Sequence, residues 1–233
     1  MENVALFKHH GAEPDEQVAA ALDTAVGAIV LSLVANNARV ESPADGSFQL
    51  RGGARVLAWD RPELHAELLL ANLEPELPEG MQIHGAVVGV WRVQAKHDLD
   101  ECIFDARWAS GKVPFEGGPS SGQGLAASTW EDEATVITLG APDAESLGNN
   151  AKAGLPLPES WSATVMVDDS SCVSIEEYLL DGLRLQLPGL RAGELGQVHF
   201  AAAWGDAGED DVAPWYAVDL GPKPLLRLLD SAA

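Results

Sequence analysis

The amino-acid sequence predicts an α+β fold: internally duplicated βαββ modules with a predominantly antiparallel sheet, plus an N-terminal helix. Three observations point there. Apolar residues recur at helical spacing after Pro14, several later stretches alternate in the manner of strands, and a leucine-rich segment near residue 70 returns 110 positions on.

Pro14, Asp15 and Glu16 carry the signals of a helix start, because proline is tolerated in the first turn and acids favour the positive end of the helix dipole. Val18, Leu22, Val26, Ile29 and Leu33 then mark one face, and Asn36-Asn37 offers a left-handed cap. Ser47–Leu50 and Arg55–Trp59 flank Gly52-Gly53, a pair suited to the positive φ angles of a tight hairpin. Pro62–Leu73 reads as a short leucine-faced helix ended by Pro75 and Pro78. Met81–Val93, rich in β-branched residues, reads as a strand. So does Glu101–Trp108, where Cys102, Phe104, Ala106 and Trp108 alternate with polar positions. Gly111–Thr129 is dense in Gly, Ser and Pro and reads as a loop. Val136–Leu139 is expected as a short strand, Ala144–Pro158 shows no secure period, and Ala163–Val167 is expected as a strand.

The repeat sets AELLLANLEPELP (Ala66–Pro78) against EEYLLDGLRLQLP (Glu176–Pro188), with identities at Glu67/Glu177, Leu69/Leu179, Leu70/Leu180, Leu73/Leu183, Leu77/Leu187 and Pro78/Pro188. EGMQIH (Glu79–His84) then faces ELGQVH (Glu194–His199), and Trp91 faces Trp204. Each copy reads strand, helix, strand, strand, over about 46–108 and 160–221, so one unit would bury its apolar face against the other. The expected organisation is 1–110 for the helix, hairpin and first module, 111–159 for a connecting segment, and 160–233 for the second module and tail, possible as one compact domain.

The 233 residues include 36 acids against 14 Lys and Arg, a formal charge of −22. On a folded surface of roughly 10,000 Å² this field repels phosphate backbones and anionic lipids, which argues against nucleic-acid and membrane partners and for a basic protein partner. The hydrophobic fraction of 46% and charged fraction of 21% are those of a globular chain. Cys102 and Cys172 make no disulfide framework or C-x-x-C, and the N-terminus carries no basic and apolar leader pattern, so a cytoplasmic protein is expected.

Chemistry-bearing motifs are few. His84 and His199 hold equivalent places in the repeat, and a duplicated imidazole suits a metal pair, an acid/base pair or inherited packing. With Trp91 and Trp204 they define a small-ligand or metal-dependent alternative, with a site between the modules. No third metal ligand falls at a recognisable spacing, no nucleophile elbow or phosphate loop is present, and no cofactor or catalytic residue is assigned. The acidic runs Asp98-Asp100-Glu101, Glu131-Asp132-Glu133, Asp168-Asp169 and Glu209-Asp210-Asp211 lack the calcium-loop pattern and read as solvated turns. Seven Trp against two Tyr supply possible stacking platforms, Trp130 and Trp161 being the expected exposed ones. The favoured expectation is a non-enzymatic interaction protein, of inhibitor or immunity type, that meets a basic partner through Asp98, Asp100, Glu209, Asp210 and Asp211.

Overall fold

Alternation of apolar and polar side chains dominates the chain far more than helical spacing does. The computed structural model describes residues 13–14, 19–36, 38–50, 53–111, 113, 115–165, 174–208 and 212–231. In chain order the elements are β1 (Glu13–Pro14), β2 (Ala21–Thr24), β3 (Gly27–Ala35), β4 (Ala38–Val40), β5 (Gly46–Gln49), β6 (Arg55–Asp60), β7 (Leu64–Asn72) and β8 (Gly85–Ala95). There follow β9 (Glu101–Trp108), β10 (Glu116–Pro119), β11 (Leu125–Glu131), β12 (Thr135–Pro142), α1 (Ala144–Lys152), α2 (Glu159–Val165), β13 (Glu176–Leu179), β14 (Gly182–Pro188), β15 (Leu195–Asp206), α3 (Ala213–Val218) and α4 (Pro222–Ser231).

Two antiparallel sheets pack face to face. The larger has nine strands in the order β1-β5-β6-β7-β8-β15-β12-β11-β10, and the smaller runs β13-β14-β9-β3-β2, with β4 also on β3. Between them lies the main core, where Leu31, Leu33, Phe104, Leu183 and Leu185 of the smaller sheet meet Trp59, Leu68, Trp91, Leu139 and Phe200 of the larger. Trp161 of α2 closes one end of this core; its indole ring lies where a Cβ on Gly196 would come within 2.5 Å. A second apolar layer covers the other face of the large sheet, with Val56, Leu69, Val88, Val90, Ala201 and Ala203 beneath Ala217 and Val218 of α3 and Leu225 of α4. No helix among the described residues is long and apolar enough to cross a membrane.

This architecture corrects the α+β expectation: the protein is mostly antiparallel sheet with four short helices among the described residues. Of the expected helix start at Pro14, Asp15 and Glu16, Pro14 lies in β1, and residues 15–18 lie outside the described residues. Ala21–Thr24 and Gly27–Ala35, the expected body of that helix, are strands, with Ile29, Leu31, Leu33 and Ala35 buried at period two. Asn36 does take φ 52°, but in the turn between β3 and β4. The leucine-rich segments are strands as well: β7 pairs with β6 and β8 in the larger sheet, whereas β13 and β14 form a hairpin in the smaller. Because the leucine-rich segment is strand in both copies, where each expected module needs its helix, the βαββ modules are not formed. Of Ala163–Val167, expected as strand, Ala163–Val165 ends α2 and residues 166–167 lie outside the described residues, and the loop expected over Gly111–Thr129 contains β10 and most of β11. The hairpin around Gly53 is present, with β5 against β6 and Gly53 at φ 86°.

Candidate functional site

His84 and His199 are held by β8 and β15, which pair antiparallel with Val90 opposite His199 and Gly85 opposite Trp204. His84 precedes β8, is exposed, donates its backbone N–H to the Trp204 carbonyl (2.8 Å) and pairs its Nε2 with Asp206 (3.2 Å). His199 lies mid-strand, 3% exposed, on the face opposite Trp91, and burial lowers its pKa to about 4. It is a neutral imidazole at physiological pH. Trp91 is in the main core with its ring centroid 5.3 Å from that of Trp59, and Trp204 packs over Gly85. These four residues therefore separate into an end pair, His84 with Trp204, and two mid-strand residues on opposite faces. Trp130 and Trp161, expected to be exposed, are 2% and 0% exposed. Cys102 is buried, which raises its thiol pKa to about 12 and makes it inert.

The acidic residues distribute by the same register. Asp98 and Asp100 are exposed in the turn from β8 to β9, where Asp98 Oδ1 accepts the Ala192 N–H (2.8 Å) and the Asp100 N–H donates to Asn36 Oδ1 (2.6 Å). Asp206, at the far end of β15, lies about 35 Å along the strand from that turn's neighbour Leu195. Glu209, Asp210 and Asp211 fall outside the described residues.

At this far end the sheet gathers further charge. Asp206 is opposite Thr135, and Ala207 donates its N–H to the Ala134 carbonyl (3.0 Å), which sets the exposed Asp132 and Glu133 turn beside the end of β15. On the neighbouring strands Glu116 stands directly opposite Glu131. Neither glutamate forms an ion pair among the described residues, although like charges at directly opposed positions destabilise a sheet.

Beside Glu131 opens a cleft of about 400 Å³ lined by Ser120, Thr129, Glu131, Val136, Val212, Trp215 and Tyr216. Pro214 in the first turn of α3 fits a helix start and places Trp215 and Tyr216 over the strands. Trp215 is fixed: its Nε1–H donates to the Ser120 carbonyl (2.6 Å), and its ring occupies the space a Cβ on Gly122 would need. Tyr216 meets it edge to face at 5.4 Å and is 43% exposed. Beneath, the hydroxyls of Ser120, Thr129 and Thr138 bond in series at 2.7 and 2.9 Å. The cleft thus offers aromatic walls, a hydroxyl floor already bonded within itself, and one carboxylate. Trp215 and the Glu131–Glu133 run are each visible in the sequence, and the fold brings Trp215 and Glu131, more than 80 residues apart, to one cleft.

A larger cleft of about 810 Å³ lies at the opposite side of the sheet, between the ends of β2, β6, β7 and β8 and α4, with Leu73, Leu220 and Leu228 among its apolar residues and Glu76 paired with Arg227 across it. The remaining polar cluster is on the outer face of the large sheet: His65 Nε2 meets Glu67 Oε1 (3.1 Å), and Arg92 Nε donates to Gln197 Oε1 (2.8 Å). The Glu67 hydrogen bond chiefly raises the His65 pKa, and burial lowers that of Arg92. None of these four lines either cleft. Among the described residues no three His, Cys, Asp or Glu side chains gather so as to hold a metal ion.

No protein-family model matches the chain, and no curated protein matches it. Among solved structures, one described as "Putative kojibiose phosphorylase from human microbiome" is similar at a TM-score of 0.44 and 8% identity, over 94% of this chain. This chain spans 30% of that protein's length. At such similarity neither fold nor activity transfers from one to the other.

Proposed function

We propose that the protein is a non-enzymatic, cytoplasmic interaction protein that binds a basic protein partner and neither nucleic acid nor membrane. The observation that carries this reading is the concentration of carboxylates at one end of the large sheet, where Glu116, Glu131, Asp132, Glu133 and Asp206 meet His84 as their only paired base among the described residues. Glu209, Asp210 and Asp211 follow Asp206 in sequence but lie outside the described residues; Asp98 and Asp100 form a second, separate acidic turn. Such surface charge acts mainly on encounter, over a screening length of about 8 Å at physiological ionic strength.

The test is surface-plasmon kinetics with immobilised nona-arginine, followed by any basic protein recovered from native extract. Neutralising Asp132, Glu133 and Asp206 together should slow association several-fold at low salt and leave dissociation nearly unchanged, while neutralising Asp98 and Asp100 should do less. Absence of binding to nona-arginine at low salt, or binding indifferent to salt, overturns the reading.

A further inference from the structure

Among the described residues, no cation pairs with the opposed Glu116 and Glu131. Both sit on the same face of β10 and β11, and among the described residues Glu131 is the one charged group lining the aromatic cleft. A cation in that cleft would lie against Glu131, with Glu116 directly opposite it on the neighbouring strand. The cleft's other walls suit the same guest: Trp215 and Tyr216 supply ring faces that attract cations, an interaction of about 0.5–2 kcal/mol that strengthens as water is excluded. The hydroxyl floor adds little for a neutral polyol, since Ser120, Thr129 and Thr138 already bond one another. Size agrees, because about 400 Å³ admits one guanidinium-bearing side chain but not a folded segment.

We propose that the cleft between α3 and strands β10 to β12 captures a single arginine side chain of the basic partner, its guanidinium between the Trp215 and Tyr216 rings with Glu131 as its counter-charge. This deepens the function proposed above and rests on it. The acidic end of the sheet would attract the partner, and the cleft would fix its orientation. An exposed apolar rim at Val212, 46% exposed, borders the entrance and would pack on the arginine's aliphatic stem.

The experiment is an NMR titration that follows the Trp215 indole N–H, assigned by comparison with the Trp215→Phe variant. The probes are acetyl-arginine amide, its uncharged citrulline analogue, and methyl glucoside. The expected result is a saturable shift with the arginine compound in the millimolar range, absent with citrulline and weakened at least about fivefold in Glu131→Gln, as one charge-assisted contact in a half-open site requires. Glu131→Gln should fold at least as well as the parent, because it removes one member of the opposed pair. An equal response to citrulline, or a response to methyl glucoside alone, overturns the proposal. If nona-arginine binds while Trp215 is unmoved by it and by acetyl-arginine amide, the cleft proposal falls and the acidic reading survives. If acetyl-arginine amide moves Trp215 but no basic protein binds, the cleft stands and the partner reading falls.

Discussion

His65 and His199 share one face of the nine-stranded sheet and respond to pH in opposite directions. The folded-state pKa of His65 is raised by Glu67, with Asp60 adding and Lys96 and burial opposing, so its contribution is fully present below about pH 6.5 and is lost as pH rises through the folded value. The pKa of His199 is lowered by burial to about 4, so stability is lost as pH falls from about 6.5 towards 4, by about 3 kcal/mol in all. Urea titrations across pH 4–9 should show His199→Gln flattening the acid limb and His65→Gln the alkaline limb; parallel profiles for parent and variants would contradict this. The core tryptophans offer a second contrast. Trp59 donates its indole N–H to the Glu41 carbonyl (2.9 Å), whereas the Trp91 N–H is buried without a partner among the described residues. Although the rings touch, Trp59→Phe should destabilise the protein by about 1–2 kcal/mol more than Trp91→Phe in the same urea assay.

Strand β7 shows why the elements were only partly legible. Leu68 faces the main core and Leu69 faces the layer under α3 and α4, each 0% exposed, so both sides of the strand demand apolar residues and the alternation that marks a half-buried strand vanishes. Leucine-rich, continuous and bounded by proline, it reads as a helix. Leu68→Ala and Leu69→Ala should therefore each cost about 2–5 kcal/mol, against less than about 1 kcal/mol for the half-buried Leu179 on edge strand β13, by chemical denaturation. Strands β8, β9 and β12 and the β5–β6 hairpin were readable because their local signals, β-branched runs, alternation and a glycine pair, coincide with their environment. In β3 the period-two set Ile29, Leu31, Leu33, Ala35 was present but overlaid by a helical spacing among Val26, Ile29 and Leu33. Helix α1 escaped notice although Asp143 caps it, accepting the Ser146 N–H at 2.8 Å, because Gly148, Asn149 and Asn150 lower its helical propensity. The aromatic cleft was illegible for a different reason: Trp215 and the Glu131 run were each visible, but their meeting depends on register and on how α3 crosses the sheet.

Across the whole molecule the charge of −22 opposes compaction. Raising sodium chloride from 10 mM to 500 mM contracts the screening length from about 30 Å to a few ångströms and should raise the melting temperature by a few degrees. A melting temperature that is flat or falls would mean that the carboxylates are spaced widely enough, or paired well enough, to repel little. If the protein binds a basic partner as proposed, the same titration should abolish that association, so stability and binding are expected to move in opposite directions with salt.

The place of β15 in the large sheet has a consequence for synthesis. It lies between β8 and β12, yet it is the last strand of the described chain to be made. Until it emerges, β1-β5-β6-β7-β8 and β12-β11-β10 are two ribbons, each ending in an unpaired edge. At about 5–20 residues per second, the interval between completing Ala95 and completing Asp206 is roughly 6–20 s, during which the β8 edge and, once Pro142 is made, the β12 edge as well are open to the wrong neighbour. Ribosome-bound chains stopped before residue 195 should accordingly recruit chaperones or aggregate, and those extended beyond 206 should not.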